Sequence, residues 1–157
     1  MFMQLIINIF ILITTFFIME FVAWFTHKYV MHGFLWNLHR DHHVQPKTFL
    51  QKNDSFFLIF AIPSWLFIMF GMIDGFDFKL WIGLGILLYG ISYFLIHEVL
   101  IHNRLKKLRK VLFPNINSPY LKAILRAHKS HHKYIDQNPG ESYGMLVIGR
   151  KYFGDKA

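Results

Sequence analysis

The fold is decided by residues 27–43, which read His-Lys-Tyr-Val-Met-His-Gly-Phe-Leu-Trp-Asn-Leu-His-Arg-Asp-His-His. The histidines follow two spacings, H-x4-H and then H-x2-H-H, and both spacings return in the same order at residues 97–102 and 128–132. These four motifs contain every histidine of the chain: His27, His32, His39, His42, His43, His97, His102, His128, His131 and His132. Neutral imidazole is the commonest protein ligand for transition metals. The pattern therefore predicts a metal site built from all ten histidines.

The two spacings limit how these imidazoles can converge. In H-x2-H-H, positions i, i+3 and i+4 share one face of a helix, so three imidazoles can approach one or two ions. In H-x4-H, five residues turn a regular α-helix by about 140° between the two side chains. Such a pair either binds different ions or lies on a distorted turn, where a π-bulge would bring both side chains together. Ten imidazoles exceed the needs of one ion and suit two.

Composition indicates a membrane protein of one domain, residues 1–157. The chain is 54% hydrophobic and 18% aromatic, with a formal net charge of +8. Apolar runs combined with basic loops favour a membrane protein over a nucleic-acid binder. The chain has no cysteine, which excludes disulfides, cysteine-ligated iron–sulfur clusters and thiolate-ligated or c-type haem.

Three apolar runs, at 5–25, 56–73 and 80–96, are candidates for membrane helices. The first reaches about 31 Å as a helix, which matches a hydrocarbon core. It has no basic start and no small-residue cleavage site, so a signal peptide fits it poorly. The predicted fold is all-α, an integral membrane helical bundle with three to four membrane-embedded helices and a cytosolic histidine-rich helical cap.

Topology places all four motifs on one side of the membrane, because the first run ends at His27 and the third returns at His97. Of 17 lysines and arginines, 16 fall on that side and only Lys79 falls in the opposite loop. By the positive-inside rule this side is the cytoplasm.

Carboxylates are scarce near the motifs. Glu20 lies in an apolar run, seven residues before His27 and on nearly the same face. An ionisable side chain within a membrane helix predicts a functional residue. A glutamate that is neutral or faces the membrane interface, with no function, is an equal alternative. Asp41, Glu98 and Asp136 are candidates to hydrogen-bond imidazoles and fix their tautomers, Glu98 being one turn before His102. Simple solvation is an equal alternative for Asp41.

The connecting segments have simpler interpretations. Residues 44–55 are predicted to form a loop, and residues 103–113 a basic helix lying on anionic lipid. Ser118 and Pro119 begin a helix whose apolar face carries the last three histidines. Its opposite face is basic, with Lys122, Arg126, Lys129 and Lys133. Residues 140–157 have no role that the pattern predicts.

Taken in order, these four motifs resemble those of bacterial β-carotene 3-hydroxylases, within the fatty acid hydroxylase superfamily. The resemblance covers about residues 15–150 and implies a non-haem di-iron mono-oxygenase in the bacterial inner membrane. This enzyme would use O2 to hydroxylate β-carotene at C3 and then C3′, giving β-cryptoxanthin and zeaxanthin. All ten histidines match the family's motifs and are expected as iron ligands or essential site residues. The resemblance leaves open which histidines touch iron.

Other features agree with that chemistry. Oxidising an unactivated C–H bond requires an oxidant that iron can supply and zinc cannot. The chain has no nucleotide-binding fingerprint, so an external electron donor such as ferredoxin is expected. The basic face, with Lys106, Lys107, Arg109 and Lys110, can dock an acidic donor or contact lipid headgroups. Aromatic side chains near the motifs can line a path for a flat polyene or simply pack: Tyr29, Phe34, Trp36, Tyr93 and Phe94.

Two other readings compete with this one. The same di-iron site can serve another lipid, as in carotenoid ketolases and in sterol or fatty acid hydroxylases. A haem protein or metal transporter is the non-enzymatic alternative. A transporter needs polar groups across its spans, and these runs are apolar apart from Glu20.

Overall fold

The structure, a computed structural model, describes residues 2–44, 50–133 and 140–154. Within these ranges it contains helices and no strands, which confirms the all-α prediction. The α-helices are α1 (Phe2–Phe25), α2 (Trp36–His43), α3 (Phe57–Ile73), α4 (Phe78–Tyr93), α5 (Lys106–Leu112) and α6 (Pro119–Lys133).

Two π-helical segments and two short 3-10 helices complete the described secondary structure. The π-helical segments, Thr26–Phe34 and Phe94–Ile101, continue directly from α1 and α4. The 3-10 helices are Lys52–Phe56 and Arg150–Phe153. Both π-helical segments coincide with the H-x4-H motifs, so the departure from regular helix falls at the predicted metal site.

Three continuous helical stretches are long and apolar enough to cross a membrane: Phe2–Phe34, Lys52–Ile73 and Phe78–Ile101. Large apolar side chains cover their outer surface; Phe10 is 67% exposed and Trp65 is 60% exposed. Such surfaces are unfavourable in water and matched in lipid. The three predicted spans are confirmed, and the described residues hold no fourth stretch of this kind.

Small residues let the spanning helices pack closely. Helix α4 packs against both α1 and α3, which makes it the central helix of the three. A Cβ on Gly83 would lie 2.7 Å from the backbone nitrogen of Ile68 on α3. A Cβ on Gly85 would lie 2.7 Å from the carbonyl oxygen of Leu12 on α1. Gly90, on the same helix, differs from these two glycines, because a Cβ there would meet no atom within 4 Å.

Short connections precede and follow α3. After it, residues 74–77 form a turn, with Gly75 and Phe76 in the left-handed region at φ 79° and 63°. The loop predicted at residues 44–55 is wrong in part, because Lys52–Phe56 is a 3-10 helix. A capping box formed by Gln51 and Asp54 starts this helix. Pro46 and the rest of 45–49 lie outside the described residues.

The C-terminal segment crosses from α6 back to α1 and α4. Leu146 packs against the core formed by Met19 and Tyr89, while Ile148 packs beside Ala127 of α6. The Nε of Arg126 donates to the carbonyl oxygen of Tyr152 at 2.7 Å and fixes the end of this segment. Residues 140–149 thus form a strap over the end of the helical layer, a role that the sequence did not reveal.

Substituting alanine at these glycines tests the helix packing. We expect Gly83→Ala and Gly85→Ala each to lower the free energy of unfolding by about 1–3 kcal/mol, because the new methyl group meets backbone of a neighbouring helix. Gly90→Ala is the matched control; it should be neutral or slightly stabilising, since alanine favours helix and open space surrounds it. Unfolding in detergent micelles measures the effect. Equal losses in all three variants would contradict this packing.

Candidate metal centre

The ten histidines meet in one cluster at the ends of α1 and α4, as the sequence predicted. Ring nitrogens within 4.8 Å of one another define a five-histidine group of His27, His32, His39, His43 and His131. A four-histidine group of the same kind contains His42, His97, His102 and His128. The remaining imidazole, His132, lies beside both groups, with its ring centroid 4.5 Å from that of His43 and 4.6 Å from that of His128. Both groups could bind metal.

The π-helical segments decide how each H-x4-H pair is arranged. His27 and His32 belong to the same group, with ring centroids 5.2 Å apart, and His97 and His102 lie 4.6 Å apart in the other. The backbone N–H of His102 donates to the carbonyl of His97 at 3.0 Å, five residues earlier. Of the two open alternatives, the distorted turn is therefore correct. Gly33 leaves helical geometry at φ −102° and ψ −125°, where the chain turns into α2.

The two H-x2-H-H motifs divide between the groups in a reciprocal way. In α2 the first and third histidines enter the five-histidine group and the middle one, His42, enters the other. In α6 the middle histidine, His131, enters the five-histidine group, while His128 enters the other. The Nε2 atoms of His128 and His132 lie 2.8 Å apart, as those of His39 and His43 lie 3.0 Å apart. In each helix the middle histidine therefore belongs to a different group from the first histidine, and the two groups are reversed between α2 and α6.

Oxygen acceptors fix the tautomers of several imidazoles. The Nδ1 of His27 lies 2.9 Å from the carbonyl oxygen of Tyr143, and that of His131 lies 3.0 Å from the carbonyl oxygen of Glu141. A carbonyl oxygen only accepts, so each Nδ1 carries the proton and donates it. The Nδ1 of His39 likewise donates to Oδ1 of Asn53 at 2.6 Å. Each neutral ring then presents a bare lone pair at Nε2.

These lone pairs face each other, which is the arrangement a cation requires. The Nε2 atoms of His27 and His39 lie 3.1 Å apart with no proton to share. In the second group, the Nδ1 of His97 donates to Oε1 of Glu98 at 2.6 Å. Its Nε2 is buried and has no hydrogen-bond partner among the described residues, and the same holds for Nε2 of His42. Buried acceptors without donors are costly, so these residues fit a bound metal.

Burial keeps several imidazoles of the cluster neutral at neutral pH. It lowers the pKa of His39, His102 and His131 to about 3 and that of His132 to about 4. Burial also holds the pKa of His128 well below its ordinary value. At neutral pH these rings therefore need not lose a proton before they bind a cation.

The predicted carboxylates take different partners from those expected. Glu98 fixes the tautomer of His97 and not that of His102. Arg104 joins Glu98 to Asp54, with N–O distances of 2.7 Å to both carboxylates.

Asp41 contacts no imidazole, so its predicted role as a direct partner is wrong. It accepts the backbone N–H groups of Lys52 and Asn53 and so places the amide that holds His39. Asp136 lies outside the described residues. Asn53, Glu141 and Tyr143 were missed, because two of them act through backbone carbonyls, which carry no residue-type signal.

Glu20 is buried but does not reach the imidazoles. Its carboxylate binds backbone N–H groups of the strap and the hydroxyl of Tyr89. Glu20 therefore does not face the membrane interface.

An open cleft of about 420 Å³ leads to the four-histidine group and to His43 and His132. Val44, Ile101 and Leu125 form its apolar wall.

Of the five aromatic side chains predicted near the motifs, two contact imidazoles and three are exposed. Trp36 packs 5.2 Å from the ring of His32, and Tyr93 packs 4.9 Å from that of His97. The remaining three aromatic side chains are exposed on the outer surface: Tyr29, Phe34 and Phe94.

Comparison with known proteins agrees with this geometry. The model of the fatty acid hydroxylase family matches residues 12–154. A beta-carotene hydroxylase of Pseudescherichia vulneris is 34% identical over 145 residues, covering 90% of this chain and 77% of that protein. A beta-carotene hydroxylase of Pantoea ananas is 35% identical over 131 residues, covering 82% and 70%. The chloroplastic beta-carotene 3-hydroxylase 2 of Arabidopsis thaliana is 33% identical over 134 residues, covering 82% of this chain and 41% of that protein. No solved structure matches the chain.

Acid should destabilise the metal-free protein. The folded pKa of His39 and His131 is about 3, far below the ordinary value of 6.5. Between these values the unfolded chain binds protons that the folded cluster does not, so stability present above pH 6.5 is lost as the pH falls. We expect the midpoint of thermal unfolding in detergent, followed by tryptophan fluorescence, to fall from pH 7 to about pH 4.5. A midpoint that is constant or rises over this interval would contradict a neutral cluster.

Proposed function

The chain belongs to the fatty acid hydroxylase family, and we propose that it is a membrane di-iron mono-oxygenase that hydroxylates β-carotene at C3 and C3′. The products are β-cryptoxanthin and then zeaxanthin, and the second substrate is O2. One observation carries this proposal: two adjacent histidine groups, with their lone pairs converging, lie in a chain that is 34–35% identical to two bacterial beta-carotene hydroxylases. Residues 1–157 form one catalytic domain in this account.

The division of the histidines supports two irons. The five-histidine group would hold the first and the four-histidine group the second. His132 completes the second group, because it stands to His128 as His43 stands to His39. Bound iron supplies the oxidation of an unactivated C–H bond by O2, which zinc cannot supply.

The chain's own residues prepare the site for this chemistry. Tyr143, Glu141 and Asn53 hold Nδ1–H groups and turn Nε2 of His27, His131 and His39 toward the metal. An apolar wall of the cleft receives the end of a carotenoid that is dissolved in the bilayer. Lipid-exposed helices keep the protein where this substrate is found.

We propose that the basic surface binds a cytosolic electron donor. From the sequence, 16 of 17 lysines and arginines are expected on the histidine side, which by the positive-inside rule faces the cytoplasm of a bacterial inner membrane. Arg109 and Arg126 are engaged with the carbonyl groups of Leu100 and Tyr152. The exposed lysines of α5 and α6 remain to attract an acidic donor such as ferredoxin: Lys106, Lys107, Lys110, Lys122 and Lys129.

Pigment analysis tests the activity. In bacteria that accumulate β-carotene, expression of the chain should yield β-cryptoxanthin and zeaxanthin. His128→Ala, His131→Ala and His132→Ala should each abolish both products while membrane insertion remains normal, because each removes a ligand. Leu58→Ala, at an exposed position on α3, is the control.

Two outcomes would contradict the proposal. Unchanged pigment with iron-loaded protein would reject the carotenoid and favour another lipid substrate, such as a sterol or a fatty acid. Full activity in all three histidine variants would reject the ligand assignment.

Filling the cleft tests the route of the substrate. Leu125→Trp places a large ring at the wall of the cleft, so we expect hydroxylation to fall by about tenfold or more with iron content unchanged. Leu58→Trp adds the same ring at an exposed position on α3 that does not line the cleft, and should have no effect. Unchanged turnover in Leu125→Trp would show that the carotenoid enters elsewhere.

A further inference from the structure

Glu20 collects four hydrogen bonds within a membrane-spanning stretch. Its side chain belongs to α1 and is 7% exposed. One carboxylate oxygen, Oε1, accepts the backbone N–H groups of Met145, Leu146 and Val147 at 2.8, 2.8 and 2.9 Å. The other, Oε2, accepts the hydroxyl of Tyr89 on α4 at 2.7 Å. Successive backbone N–H groups that converge on one oxygen form a nest for an anion, so the carboxylate is stabilised inside an apolar layer.

The same strap presents two carbonyl groups to the imidazoles. The carbonyl of Glu141 faces Nδ1 of His131 from α6, and that of Tyr143 faces Nδ1 of His27 from the first π-helical segment. Ser142, between them, lies in the left-handed region at φ 56°. This conformation is strained for a residue with a side chain, and surrounding contacts must hold it.

We propose that Glu20 is a positioning residue for the metal centre: it anchors the strap at residues 145–147 so that the carbonyls of Glu141 and Tyr143 hold His131 and His27. The inference rests on the proposed metal centre. Glu20 is seven residues, or about 10 Å of helix, before His27 and does not touch it. It acts through the strap, which contacts Glu20 at residues 145–147 and His27 at the carbonyl of Tyr143.

Local geometry supports the anchor. Residues 140–149 are neither helix nor strand, so their N–H groups depend on partners from other elements. Gly144 passes so close to the carboxylate that a Cβ there would lie 2.8 Å from Oε1. At the other end, the side chain of Glu141 accepts the hydroxyl of Ser130 at 2.9 Å and the ammonium of Lys151 at 2.7 Å. The strap is thus bound to other elements at Glu141 and at residues 145–147, on either side of Tyr143.

Three variants separate this role from simple packing. Glu20→Leu removes all the acceptors, Glu20→Gln keeps one neutral oxygen, and Gly144→Ala displaces Oε1 without removing it. Phe21→Leu is the matched control, because this neighbour on α1 is 63% exposed on the lipid side. All four chains are purified in detergent without metal and compared with the original protein.

Amide hydrogen exchange and imidazole NMR measure the metal-free state. In Glu20→Leu, exchange at residues 145–147 should accelerate by about tenfold or more, because these amides lose their acceptor. The 15N signals of His27 and His131 should move away from the tautomer protonated at Nδ1. Glu20→Gln and Gly144→Ala should show the same changes to a smaller degree, and Phe21→Leu should show neither.

Metal titration measures the consequence. We expect Glu20→Leu to bind Fe(II) about 10–100-fold more weakly, the usual result of losing support for a ligating histidine. Unchanged exchange in Glu20→Leu, or faster exchange with unchanged tautomers and iron affinity, would overturn the proposal. A wild-type protein that binds iron but leaves β-carotene unchanged would refute the proposed substrate and leave this role of Glu20 intact.

Discussion

Two imidazole lone pairs held 3.1 Å apart in a buried site repel each other unless a cation lies between them. This constraint sits at His27 and His39, whose Nδ1 atoms are occupied by a backbone carbonyl and an amide oxygen. The surrounding structure is arranged to maintain it. The π-helical segments bring each H-x4-H pair onto one group, and α2 and α6 each send histidines to both groups. The fold therefore sets the spacing of these imidazoles, which could bind metal.

The membrane helices explain why so small a chain can hold this cluster. Their lipid-exposed faces need no further protein to cover them, and close contacts at Gly83 and Gly85 fix α4 between its neighbours. The rigid layer delivers both H-x4-H motifs to the same end. A cleft beside the second group connects this end to the surface, which suits a large apolar substrate that must bring only one ring to the histidines.

Much of this arrangement can be predicted from the pattern of residue types along the sequence. Ten histidines in repeated spacing predict the metal site, and three apolar runs predict the spans, because residue type alone carries both signals. The choice between a regular and a π-helical turn at His27 and His97 depends on tertiary contacts. The carbonyls of Glu141 and Tyr143 were invisible for another reason: any residue supplies a carbonyl. Asp41 was misjudged since its effect on His39 passes through Asn53.

Anaerobic titration of the metal-free protein with Fe(II), read by X-ray absorption, measures most directly whether the histidines form two adjoining sites for iron. We expect two irons per chain, each surrounded mainly by imidazole nitrogen and with a second iron nearby. Saturation at one iron, isolated irons without a neighbour, or a haem spectrum in the purified protein would contradict it.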